Sequence, residues 1–352
     1  MNNKKYLLYA EQNYAYSILR PVQAAILKRG GEVRWFLAGK KINSDYLSAT
    51  ELRLSSVDEI INWKPDVVIA PGNTVPSFIP GLKVDIFHGF NVAKATRTDD
   101  RGHFNIRGCY DLYCTQGPAT TAGFQERAEK YGYFRVAETG WPTLDQLFNG
   151  VTEQLYFNDD KPVILLCSTF TQSLSCARHL LSTVKELRDT RKWNWLVQFH
   201  PLMDKKTVAD YKAIQNECLK FIETDDVTPL LKQADVMVCD TSSVMLMFML
   251  QRKPIVSFRN RTVGDTSYLL NIEEKEHLET ALEKALSYPN ELLKTIKKAG
   301  DHIHPYRDGN SSERVLEAID ESIALGRQGL KRKPINFIRN LKERKKLGYW
   351  RF

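Results

Sequence analysis

Short apolar runs alternate with stretches of helical periodicity along most of the chain. Lys5 to Tyr9, Glu32 to Leu37, Val67 to Ala70, Val84 to Phe87 and Leu112 to Thr115 read as strands, since brief apolar runs bounded by turn residues suit strands covered on both faces. Tyr14 to Arg29 and Val57 to Asn62 carry a helical pattern between them. After Thr139-Gly-Trp-Pro142 and a polar stretch around Asn149 to Lys161 the pattern restarts. It gives strand Pro162 to Cys167, helix Ser175 to Asp189, strand Trp195 to Phe199, helix Thr207 to Cys218, a strand near Leu219 to Ile222 and helix Val227 to Gln233. The order βαβα predicts parallel sheets. We therefore expect an α/β protein of two doubly wound, Rossmann-like domains, residues 1–150 and 151–325, followed by a tail over 326–352. Ligands of such sheets bind beyond the carboxyl ends of the strands, so two facing sheets are expected to leave an interdomain cleft.

The segment Ala234 to Phe258 completes the second half. An apolar strand from Val236 to Cys239 meets a turn of Asp240, Thr241, Ser242 and Ser243, then a helix through about Leu250, then a strand opened by Lys253-Pro254. Hydroxyl groups and free N–H groups at a helix start form a phosphate cradle. The same residues also serve as an ordinary N-cap, and the segment by itself leaves both readings open.

Two histidines fall where strands stop. His88 follows Val84 to Phe87 and precedes Gly89; His200 follows Leu196 to Phe199 and precedes Pro201, which cannot continue a ladder. An imidazole takes or gives a proton near neutral pH and, when charged, stabilises phosphate oxygens. A capping or packing role is the alternative for each. Neither has a carboxylate or cysteine at metal-ligand spacing, and His302 with His304 is a lone H-x-H, so no metal site is expected.

Composition narrows the class. At 352 residues with 43% hydrophobic and 26% charged content, the chain can bury two cores. The six cysteines form no C-x-x-C pair and read as reduced thiols. With no run of about 18 apolar residues and no signal-peptide pattern, a cytoplasmic location is expected. Residues 327–352 hold ten Lys or Arg against one acid, Glu343, in a chain of net charge +8. Ile335, Phe337, Ile338, Leu341, Leu347, Tyr349, Trp350 and Phe352 interleave with these charges. That pattern suits an amphipathic segment on an anionic membrane surface, peripheral on the inner face of the cell membrane. A terminal helix packed on its own protein is the alternative, and nucleic acid is the least favoured partner.

Several segments, in order, resemble the CDP-glycerol:poly(glycerophosphate) glycerophosphotransferase family. His88-Gly89 is similar to its His-Gly motif, Glu138 to Phe148 to its Gly-Tyr-Pro-Arg-x-Asp segment, Ile164 to Phe170 to its strand ending in Pro-Thr-Phe, and Phe199-His-Pro201 to its His-Pro motif. Asp226 through Leu231, Ala234-Asp235, Asp240-Thr-Ser-Ser243 and Lys253-Pro254 resemble the segment usually written Ala-Asp, Asp-Tyr-Ser-Ser, Lys-Pro. Asp308 to Val315 resembles its closing Asp-Gly-x-x-x-Glu-Arg signature. Two departures stand out: Phe90-Asn-Val-Ala-Lys94 replaces the usual Thr-Pro-Leu-Lys, and Thr143 replaces the Arg of the second motif.

The resemblance implies a GT-B-like fold and a transferase moving glycerol phosphate, or ribitol phosphate, from a CDP-activated donor to a hydroxyl of a cell-surface glycan or lipid-linked acceptor, with CMP leaving. CDP-glycerol or CDP-ribitol is then a donor substrate, no cofactor is assigned, and a divalent metal is left open. On this reading His88, beside Gly89, is the base. His200, beside Pro201, together with Ser242 and Ser243 at the helix start after Asp240 and Thr241, holds the donor diphosphate. Arg314 is a further contact for that diphosphate, and Thr169 and Asn310 or Ser311 are further candidates at the same cleft. A GT-B sugar-nucleotide glycosyltransferase, a nonhydrolysing UDP-N-acetylglucosamine 2-epimerase and a non-catalytic membrane-docked scaffold are the alternatives.

Overall fold

The computed structural model describes residues 3–39, 42–72, 74–90, 104–149, 155–224, 226–241, 244–261 and 265–351. The chain divides into two compact units, residues 1–148 with 303–352, and residues 149–302.

The first unit is built on strands β1 (Lys5–Ala10), β2 (Glu32–Leu37), β3 (Arg53–Leu54), β4 (Val67–Ala70), β5 (Leu82–Asp85), β6 (Leu112–Thr115) and β7 (Arg135–Glu138). All pair in parallel, in the order β3-β2-β1-β4-β5-β6-β7. Helices α1 (Tyr14–Lys28), α2 (Val57–Trp63), α3 (Pro118–Tyr131) and α4 (Asp145–Phe148) belong to this part of the chain. Helix α2 starts at Ser56, whose Oγ accepts the Glu59 N–H at 3.2 Å, while the Glu59 carboxylate accepts the Ser55 N–H at 2.8 Å. Helix α3 stops at Gly132, left-handed at φ +73°, whose N–H closes on the Ala128 carbonyl. Strand β4 is buried at every position, the signature of a sheet covered on both faces.

The second unit holds β8 (Val163–Ser168), β9 (Asn194–Phe199), β10 (Leu219–Phe221), β11 (Val236–Cys239), β12 (Ile255–Phe258) and β13 (Leu270–Ile272), with α5 (Ala177–Asp189), α6 (Lys205–Ala213), α7 (Thr228–Gln233), α8 (Val244–Met249), α9 (Leu278–Leu286) and α10 (Asn290–Ile303). Its parallel sheet runs β10-β9-β8-β11-β12-β13, the doubly wound order in which the chain reverses direction between β8 and β11. Trp195 on β9 is fully buried in a core that includes Leu180 and Val184 of α5 and Leu282 of α9. The fold class is thus that of two parallel-sheet, Rossmann-like domains.

The structure corrects the expected boundaries. Residues 303–325 were placed with the second domain and 326–352 as a separate tail, yet both pack on the first unit. Helix α11 (Ser311–Leu325) buries Val315, Leu316, Ala318 and Ile319. Its acids face the start of the chain: Lys4 Nζ lies 2.5 Å from Asp320, and Arg29 Nε donates to Glu313 at 2.7 Å. Arg135 donates to the Gly326 and Gln328 carbonyls at 2.8 and 2.9 Å. Helix α12 (Phe337–Leu347) is then held by Lys333 against Asp111 at 2.7 Å and by Ser77, whose Oγ donates to Asn340 at 2.6 Å. An apolar stripe on α11 and matching polar partners on the first sheet carry the chain back. Neither signal is visible without the fold.

Candidate active site

Both switch points are occupied by candidate chemistry. In the first unit the chain reverses between β1 and β4, and the loop after β4 begins Pro71-Gly72. Strand β5 ends at Asp85, short of the expected Phe87. The buried Asp85 carboxyl oxygen accepts the Phe87 N–H at 2.9 Å, and Phe87 sits in the left-handed region at φ +58°. A non-glycine residue held there costs free energy, so the surrounding structure must hold it in place. The result is an abrupt turn that leaves His88 exposed. A Cβ on the next residue, Gly89, would meet nothing within 4 Å, so the space beyond the turn is open.

His88 Nδ1 lies 3.1 Å from the Pro71 carbonyl oxygen, and the Tyr14 ring flanks the imidazole at 5.5 Å between centroids. A carbonyl only accepts, so Nδ1 carries the proton. In the neutral ring Nε2 then keeps its lone pair, as a proton acceptor requires.

His200 has the opposite polarity. Its Nδ1 accepts the Leu202 N–H at 3.1 Å, which places the proton of the neutral ring on Nε2, making it the donor of an exposed side chain. Loss of water around the ring pushes its pKa below the usual imidazole value and favours this neutral form. Phe170 packs on it at 4.5 Å between centroids. His200 and Pro201 edge a cavity of about 410 Å³ whose walls include Phe221, Glu223 and Thr224 at the ends of β9 and β10.

The switch point of the second unit lies between β8 and β11, where Asp240 ends β11. Asp240 was expected among the ligand-binding residues, but it has no solvent exposure. Its carboxylate accepts from Ser168 Oγ at 2.6 Å, from the Thr169 N–H at 3.0 and 3.1 Å, and from the Cys176 N–H at 3.0 Å. The side chain therefore clamps the loop between β8 and α5 and cannot offer an oxygen to a ligand. Thr169, half-buried, is positioned by that clamp. Thr241 Oγ1 accepts the Arg261 N–H at 3.3 Å. Ser242 and Ser243 lie outside the described residues, as do residues 91–94 of the departing segment after His88.

Asn310, Ser311 and Arg314, candidates for the same cleft, belong to the first unit. Ser311 is buried, and the Asp145 carboxylate accepts the Ser311 and Ser312 N–H groups at 2.7 Å each, capping α11. Arg314 pairs with Asp308 and stacks 4.0 Å over the Tyr306 ring. Asn310 is exposed, its N–H donating to Asp308 at 3.1 Å. The Asp308 to Arg314 motif is thus a folded helix start tied to Asp145, the aspartate of the second motif. Beside it, Gly140 is left-handed at φ +80°, and a Cβ there would stand 2.5 Å from Ser311 Oγ and 2.9 Å from His304 Nε2. His304 Nε2 accepts the Trp141 N–H at 2.9 Å, and burial pushes its pKa down to about 4.

Sequence reasoning missed Asp85, Pro71, Tyr14 and Asp145. Only Asp145 had a signal, as the acid of the Gly-Trp-Pro segment; the others act through backbone geometry. Among the described residues no group of His, Cys, Asp and Glu could hold a metal ion, and no helix is long and apolar enough to cross a membrane.

Known proteins bear on this arrangement. The teichoic acid glycerol-phosphate primase of Bacillus subtilis (strain 168) is 24% identical over 247 residues, covering 65% of this chain and 62% of the primase. The match therefore spans less than two thirds of that relative's length. The wall teichoic acid polymerase TagF superposes with a TM-score of 0.67 at 15% identity, over 92% of this chain and 90% of that one. A UDP-N-acetylglucosamine 2-epimerase-type protein of Listeria monocytogenes superposes at 0.65 and 14%, over 93% and 99%. These likenesses place the fold among GT-B proteins. Residues 89–262 match the profile of the CDP-glycerol:poly(glycerophosphate) glycerophosphotransferase family. The run begins directly after His88 and takes in His200 and the Asp240 turn, and over it the chain is similar to that family.

Proposed function

We propose that the protein transfers glycerol phosphate, or ribitol phosphate, from a CDP-activated donor to a hydroxyl of a cell-surface glycan or lipid-linked acceptor. The acceptor oxygen attacks the phosphorus bearing the polyol, the bond from that phosphorus to the CMP oxygen breaks, and CMP leaves. His88 takes the acceptor proton on Nε2. His200 gives an Nε2–H hydrogen bond to the donor diphosphate, with Ser242, Ser243 and the Thr169 loop as its other contacts. The observation that carries this reading is the contrast in ring polarity: one exposed histidine is set as an acceptor by a carbonyl, the other as a donor by a backbone N–H. Phosphoryl transfer relies on alignment and charge stabilisation, with general-base help worth about 10²–10⁴-fold. CDPG has been soaked into a variant of TagF, which supports trying that donor first.

The test is a thermal-shift screen of CDP-glycerol, CDP-ribitol and UDP-sugars, followed by transfer assays on His88→Ala. A donor at about 100 times its Kd adds about 2.7 kcal/mol to stability. Stabilisation by a CDP-polyol and loss of transfer in a folded His88→Ala protein are expected. Stabilisation by UDP-sugars alone would overturn the donor class, and normal turnover in His88→Ala would remove that residue from the mechanism.

A further inference from the structure

We infer that the outward face of α12 and the segment leading into it dock on an anionic lipid bilayer. This goes beyond the tail's composition, because the structure fixes which side chains face outward. The inner side of the helix is pinned to its own unit: Asn336 Nδ2 donates to the Arg107 carbonyl at 3.0 Å, Asn340 accepts from Ser77, Lys346 pairs with Glu11, and Arg344 stacks 4.6 Å over Phe78. These bonds turn Ile335, Phe337 and Ile338 outward at 82%, 65% and 70% exposure. Three adjacent large apolar side chains at such exposure mark a docking site rather than scattered surface residues. Arg332, Lys342 and Lys345 lie on the exposed side with no ion-pair partner among the described residues.

The combination selects the occupant. Apolar groups that sink to the acyl boundary and cations that remain at phosphate level match an anionic membrane surface. A second copy meeting this face about a two-fold axis would bring like charges together. A nucleic-acid backbone would satisfy the cations and leave Ile335, Phe337 and Ile338 without an apolar partner. Because α12 is already folded and clamped, binding does not have to supply the cost of forming the helix.

The test is cosedimentation of the full chain with vesicles of equal parts phosphatidylglycerol and phosphatidylcholine, against phosphatidylcholine alone. Binding to the anionic vesicles only, weakened by salt, is expected. At about 1 kcal/mol per cation, Lys342→Gln with Lys345→Gln lowers partitioning roughly thirtyfold. Phe337→Ala with Ile338→Ala lowers it at least about tenfold, with unfolding unchanged because both side chains already stand in water. Equal binding to both vesicle types, no binding, or a change of oligomeric state in either double variant would overturn the inference. So would DNA binding in place of vesicle binding. Transfer to a soluble acceptor without vesicles reports separately on the transferase reading.

Discussion

Asp85→Asn tests the device that presents His88. Burial pushes the Asp85 carboxyl up to about 8, against the lowering effects of the Phe87 N–H and the Arg107 charge. The folded protein thus keeps a proton between about pH 4 and about pH 8 that the unfolded chain has released, so stability falls as pH rises through that window. A gap of about four pH units at 1.36 kcal/mol each amounts to roughly 6 kcal/mol. Asparagine keeps the oxygen that accepts the Phe87 N–H and cannot ionise. The variant should therefore match the native protein within about 1 kcal/mol near pH 4 and exceed it increasingly, by several kcal/mol, near pH 8. Urea unfolding across this range, read together with hydrogen exchange of peptides from β4 and β5, isolates the first unit. A stability difference that does not change with pH would refute the reasoning, since the carboxyl would then titrate alike in both states.

Asp240→Asn puts an amide donor where the carboxylate accepts from two N–H groups and a hydroxyl. It should cost about 1–3 kcal/mol in urea unfolding and loosen exchange in the loop after β8; an unchanged midpoint would deny the clamp. Asp145→Ala removes the cap shared by Ser311 and Ser312 and should cost about 1–2 kcal/mol, with faster amide exchange confined to the first turn of α11. His304 binds its proton more weakly in the fold than in the unfolded chain, so its contribution is present at neutral pH and is lost as pH falls from about 6.5 to about 4, roughly 3 kcal/mol in all. His304→Gln should flatten that acid limb, and an identical pH profile would count against it.

Strands covered on both faces were legible because their apolar runs are unbroken, as in Val67 to Ala70 and Val236 to Cys239. The same pattern put His88 and His200 at strand ends, where both stand exposed. Short or polar strands were not legible: β3 has two residues, and β7 is half-buried along its length. The return of α11 to the first sheet was hidden as well, since a helical stripe does not name the sheet it covers. Asp240 read as a ligand contact because a turn residue after a strand looks the same whether its carboxylate points out or, as here, back into the loop after β8. For the tail, the packed reading holds for Lys333, Asn340 and Tyr349, while the outward face remains uncovered.

The return of residues 303–352 makes the second unit an insertion within the sequence of the first. As the polypeptide leaves the ribosome, residues 149–302 are complete while the first sheet still lacks α11, so the later unit can finish folding before the earlier one. The Lys4 to Asp320 and Arg29 to Glu313 pairs close loops of nearly the whole chain, contacts of a separation that slows folding. Until they form, the flank of α1 that α11 covers stands open to chaperones and proteases, and a stop codon between residue 302 and the start of α11 at Ser311 would leave it so.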